Sequence, residues 1–163
     1  MSLHVLDTDI LSLLQDRDAV VVARVASYRP EELAITVISV EEQLSGWYRR
    51  LRRVKKAADL ARIYERLTTT VASLSRLRIL SFTEPAIHRY KALQSSRLNV
   101  GRMDLRIAAI ALENQASVAT RNVRDFQRIP KPGSRGLVQV SETPCGVACG
   151  RGPAEPQPEH VND

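Results

Sequence analysis

A chain of 163 residues can bury one substantial core but not two independent ones. Its formal charge is +6, and arginine supplies 20 of the 24 basic residues, which points to a polyanionic partner because arginine forks onto phosphate oxygens while staying charged. The apolar runs are too short to span a bilayer, no segment has the build of a secretion signal, and the two cysteines, Cys145 and Cys149, both fall in the last quarter; membrane and disulfide-scaffold classes are therefore excluded, and a soluble, cytoplasmic protein with no membrane partner is expected.

In chain order, Leu3–Leu6 is a short apolar run that reads as a buried strand ending at Asp7. Thr8 can cap the helix that follows, where Ile10, Leu11 and Leu14 keep helical spacing. Ala19–Tyr28 predicts a second short helix, stopped by Pro30, and Leu33–Val37 a second strand. Ser39 with Glu42 three places on has the form of a capping box at the head of a helix through Gly46 and Trp47. Residues 49–56 are nearly all basic and read as a solvated helix end or turn with some phosphate contact. A long helical pattern then runs from Ala57 to Leu74, followed by a strand at Arg78–Phe82. Thr83-Glu84-Pro85 opens a helix to about Leu98. After the turn at Asn99-Val100-Gly101, Met103–Gln115 is apolar enough to be buried. Ser117–Thr120 and Leu137–Val140 are the last two strand candidates. From Ser141 the sequence is rich in Pro and Gly, with nothing to bury, and predicts a disordered tail over 141–163. Strands alternating with helices argue for an α/β domain over 1–140, with a mainly parallel sheet of about five strands flanked by helices.

Four acids fall where such a sheet gathers its ligand site, beyond the carboxyl ends of the strands. Asp7 ends the first strand, Glu42 sits one turn into the helix after the second, Asp104 opens the buried helix, and Asp125 follows the fourth strand. Crowded carboxylates raise one another's pKa, and hard divalent cations with oxygen ligands relieve that repulsion. The first 140 residues hold 23 basic against 14 acidic groups, so these acids lie in a basic body. That combination suggests phosphodiester hydrolysis, with arginines holding the strand and a metal ion activating water. Singly, each acid also has a local reading as a cap or turn residue.

Together these segments resemble the PIN-domain family, in particular toxin ribonucleases of the VapC type from type II toxin–antitoxin systems. The matching blocks are Leu6-Asp7-Thr8-Asp9-Ile10-Leu11, Ile38–Gly46, Val100–Ala109 and Ala119–Phe126, in family order over about residues 3–140. The resemblance implies a PIN-like fold, cleavage of single-stranded or looped RNA, and Asp7, Glu42 and Asp104 as metal-binding acids for Mg2+ or Mn2+. For the fourth position it leaves Asp125 or Asn122; Asn122 brings no charge, so Asp125 is preferred, with Thr8, Asp9, Thr120 and Asn122 as accessory residues. It further implies a homodimer and a small cognate antitoxin, with Leu44, Trp47, Leu51, Leu60, Ile63 and Leu67 of the 39–77 helical pair available for those surfaces or for ordinary core.

Two other readings start from the same residues. One is a PIN-fold RNA-binding or scaffold protein that does not cut, which would have no use for all four acids. The other is a phosphatase resembling the haloacid dehalogenases, with Asp7 as nucleophile and Asp9 as its partner acid. That family expects threonine or valine where Leu11 stands and needs a later lysine and acidic pair in suitable context, neither of which is found.

Overall fold

A computed structural model describes residues 2–130. Strand β1 (His4–Leu6) leads into helices α1 (Thr8–Gln15) and α2 (Ala19–Ala26), and a 3-10 turn at Pro30–Glu32 leads into β2 (Leu33–Thr36). Helices α3 (Val37–Leu51) and α4 (Ala57–Leu74) form a hairpin that returns the chain to β3 (Arg78–Leu80). Helices α5 (Glu84–Ser95) and α6 (Arg102–Glu113), strand β4 (Ser117–Ala119) and the one-turn helix α7 (Val123–Phe126) complete it.

The four strands make one parallel sheet in the order β3-β2-β1-β4. Four strands are thus described where about five were expected; the fifth candidate, Leu137–Val140, and the tail over 141–163 lie outside the described residues. No helix among the described residues is long and apolar enough to cross a membrane.

Successive strand side chains point to opposite faces, and both faces are covered, so β1 and β2 are apolar almost throughout. Val5 and Ala34 turn to a cluster built by α5, α6 and Phe126, in which Ile107–Ala111 have no exposed surface. Leu6, Leu33 and Ile35 turn to a second cluster with Ile10, Leu11, Val21 and Leu74. Burial of α6 along most of its length explains why its sequence reads apolar all round.

The capping of α3 differs from the expectation. The helix begins three residues earlier, and Thr36, not Ser39, is its N-cap: the Ser39 amide donates to Thr36 Oγ1 at 3.1 Å. Ser39 is fully buried against Thr36, and the Ser39/Glu42 capping box does not form. Glu42 therefore lies in the second turn with its carboxylate free for a tertiary partner. At α1 likewise the cap is Asp7, not Thr8.

Candidate active site

Because the sheet is parallel, β1, β2 and β4 deliver their following residues to one rim. The strand order turns at β1, which has β2 on one side and β4 on the other, and the crevice at such a point is where open α/β sheets bind ligands. Asp7 stands immediately beyond β1, its amide donating to the Ala119 carbonyl at 3.0 Å, so β4 holds it from the side.

Asp7 is buried and its two oxygens are both engaged. Oδ1 accepts from the Thr8 amide and Oδ2 from Thr120 Oγ1, each at 2.7 Å. Burial pushes this carboxyl above its ordinary range; the Thr120 and Thr8 hydrogen bonds oppose the shift, and the charges of Asp9 and Glu42 add to it. Thr120, itself fully buried, also accepts from the Asn122 amide at 2.9 Å, which leaves its hydroxyl proton for Asp7. Thr8 Oγ1 donates to Glu42 Oε2 at 2.6 Å across 34 residues of sequence, tying α1 to α3. Beside it, Gln43 Nε2 donates to Ser12 Oγ at 2.8 Å, and Ser12 Oγ donates to the Thr8 carbonyl, a brace between the same two helices.

On the other flank Asn122 Nδ2 donates to Asp104 Oδ2 at 3.1 Å and to Asp125 Oδ2 at 2.9 Å. An amide nitrogen has two protons, so one goes to each acid. Asparagine is a favoured N-cap, and Asn122 occupies the N-cap of α7, yet its side chain makes no capping bond because it is spent on the acids. Arg128 pairs with Asp125 Oδ1 at 3.5 Å and donates to the Asn99 carbonyl at 2.9 Å, pinning the loop before α6 to α7. In that loop Gly101 lies against Asp104: a Cβ there would stand 3.2 Å from Asp104 Oδ2.

Asp104 is pushed up to about 6, first by burial and then by the charges of Asp7, Glu42 and Asp125, with the Asn122 bond opposing. The four predicted acids are therefore close enough to repel one another, and Asp7, Glu42 and Asp104 have no ion pair among the described residues. Asp9 is not brought into the group: it stands exposed in the first turn of α1, makes no side-chain hydrogen bond among the described residues, and acts on Asp7 through charge. Arg102, Arg121 and Arg124 are exposed within two residues of Asp104, Asn122 and Asp125 and pair with no acid among the described residues. Sequence reading overlooked Arg128, Gln43 and Ser12; only Arg128 had a local signal, its i, i+3 spacing from Asp125.

Among the described residues no three His, Cys, Asp or Glu side chains enclose an ion by themselves. Each acid accepts from a neutral donor, a hydroxyl for Asp7 and Glu42 and the Asn122 side-chain amide for Asp104 and Asp125. The donor set still fits a hard divalent cation: it is all oxygen and carries surplus negative charge, and Mg2+ keeps several waters while binding one or two carboxylates and a phosphate.

A family model of the PIN domain matches residues 4–132. Among solved structures, the chain is similar to FitAcB from Neisseria gonorrhoeae (26% identity, TM-score 0.63, covering 77% of this chain and 92% of that one). It is also similar to VapBC-1 from nontypeable Haemophilus influenzae (26% identity, TM-score 0.55, 77% and 91%). A toxin-antitoxin complex from Klebsiella pneumoniae, 24% identical with a TM-score of 0.61 over 78% and 92%, shares the fold. No curated protein matches the chain significantly.

Proposed function

The chain belongs to the PIN-domain family, and from that premise we propose that it is a metal-dependent endoribonuclease and the toxin of a toxin–antitoxin pair. The observation that carries the reading is the shift of Asp104 to about 6 by burial and by three neighbouring acids, in a group with no ion pair on Asp7, Glu42 or Asp104 among the described residues. Crowded, buried carboxylates of this kind favour a cation among them. Asp7, Glu42 and Asp104 would hold Mg2+ or Mn2+, with Asp125 in the fourth position. Bound there, the ion would supply an activated water and charge stabilisation at phosphorus.

The chain's own residues do the rest. Thr120 and the Thr8 amide fix Asp7, Thr8 Oγ1 fixes Glu42, and Asn122 sets the spacing of Asp104 and Asp125. Arg102, Arg121 and Arg124 can receive phosphates of an RNA strand. The nuclease unit is residues 1–140. An antitoxin partner is supported by the VapC-type resemblance and by likeness to the solved structures, and a homodimer by that resemblance and by the outer face of α4. There Leu60, Tyr64 and Val71 share one side and are 37%, 53% and 49% exposed, more apolar surface than an unpartnered helix needs to show water.

The test is cleavage of RNA by purified protein with and without added Mg2+ or Mn2+. Cleavage only with the ion is expected, and cleavage that survives excess chelator would refute the reading.

A further inference from the structure

We infer that one face of α3 is the track along which a single RNA strand leaves the acid centre. On a helix, residues spaced by three, four and seven share a face. Counted from Glu42, that face carries Ser45, Gly46 and Arg49. Glu42 is turned toward the centre by Thr8, so the line starts at the cleft. Its middle is kept low: Ser45 is small and exposed, and a Cβ on Gly46 would meet nothing within 4 Å. Glycine weakens a helix interior, and no close packing at Gly46 accounts for its presence. An open floor beside the cleft does.

Arg49 closes the line. Its Nε lies back along the helix, 3.4 Å from the Ser45 carbonyl, and its guanidinium has no acidic partner among the described residues. Seven residues at about 1.5 Å place it roughly 10 Å from Glu42 along the axis. Beyond it Arg52, Arg53, Lys55 and Lys56 stand exposed at the α3–α4 corner, with no ion pair among the described residues, and no acid interrupts residues 49–56. Tyr48, 52% exposed, offers a ring for a base beside this row. A small floor, an unpaired basic row and an adjacent aromatic surface together suit a single nucleic-acid strand. The identity of the strand rests on the nuclease reading; the track does not.

The experiment measures binding of a single-stranded oligoribonucleotide to the full chain in chelator, where no metal-dependent cut can occur. Gly46→Met should raise Kd at least about tenfold while the melting temperature holds or rises, because methionine is the better helix former. A merely structural role for Gly46 gives the opposite pair of results. Arg49→Gln with Arg53→Gln should weaken binding and lower the slope of log K against log salt by about 1.4, at about 0.7 for each phosphate of a single strand left without its cation. Tyr48→Ala should weaken RNA binding and leave binding of polyglutamate unchanged. Wild-type affinity and salt slope in these variants would overturn the track, as would tighter binding of polyglutamate than of RNA, which would mark an acidic protein as the occupant. A protein that binds RNA in this manner yet never cuts it would refute the nuclease reading and leave the track standing. A metal-dependent nuclease indifferent to the three variants would do the reverse.

Discussion

The two flanks of the acid centre hold their carboxylates by different means. On the Asp7 flank each polar atom has a fixed partner: Thr120 accepts from the Asn122 backbone amide and donates to Asp7, while Asp7 caps α1 and is 4% exposed. On the Asp104 flank one neutral amide serves two acids, and the arginine that could neutralise the pair reaches only Asp125. Asp7 is thus fixed by bonds with little freedom, whereas Asp104 carries the repulsion of the group and is pushed up to about 6. A site can keep one ligand rigid and leave its neighbour to respond to charge.

Asp104→Asn should separate the flanks most sharply. Loss of an outer partner of a metal ligand costs about 10–100-fold, so loss of the ligand's own charge should cost more than about a hundredfold in cleavage. Stability without metal should move the other way. With a folded pKa of about 6 against an ordinary 3.8, folded Asp104 holds, between those two pH values, a proton that the unfolded chain has released. Its contribution is therefore complete below about pH 4 and is lost as pH rises through about 6. Urea melts of the chelated protein at pH 4 and pH 7 should show this fall in the wild type and a smaller one in Asp104→Asn. A variant that cuts at the wild-type rate in limiting Mg2+ would remove Asp104 from the site.

Next in size is Thr120→Val on the rigid flank. It leaves a buried Asp7 oxygen and the Asn122 amide without their partner, a cost of about 1–3 kcal/mol readable in the urea midpoint. No loss of stability would show that Asp7 is less constrained than its hydrogen bonds imply. Asn122→Ala should weaken Mn2+ binding about tenfold by calorimetry, as an outer partner does, with a smaller effect on stability because its side chain is only half-buried. It should also raise the Asp104 pKa further, since the Asn122 bond is what opposes the shift. Equal metal affinity in the variant would make Asn122 a bystander. The smallest change is Thr8→Val, which removes a single partly buried hydrogen bond to Glu42, about 0.5–1.5 kcal/mol.

The same division marks what the sequence could reveal. The acids were legible because each follows a strand or opens a helix, and strand and helix periods are written locally; Asp7, Glu42, Asp104 and Asp125 needed only a parallel sheet to meet. Their partners were less so. Ser39 and Glu42 match a capping box, but Thr36 has a hydroxyl three residues before Ser39 and wins the cap, because Ser39 is buried and Glu42 is drawn to Thr8. Nothing near residue 42 indicates a bond to residue 8. Asn122 could be named as a helper, but its use of both amide protons depends on α6 and α7 meeting. Gly101 read as a turn residue, and its closeness to Asp104 follows from how the loop enters α6.

The chain has a single tryptophan, and Trp47 is set within the α3–α4 hairpin: its Nε1 donates to Thr70 at 3.1 Å, and the Arg50 and Arg66 guanidiniums lie 4.9 and 5.9 Å from the ring centroid. Its emission is therefore a local gauge. Fluorescence reports whether the two helices remain clasped and is blind to the sheet, whereas circular dichroism records all the helices together. Where the two melting curves coincide, the hairpin comes apart with the body; where fluorescence changes first, the arm carrying Glu42 opens while the rest of the domain is still folded.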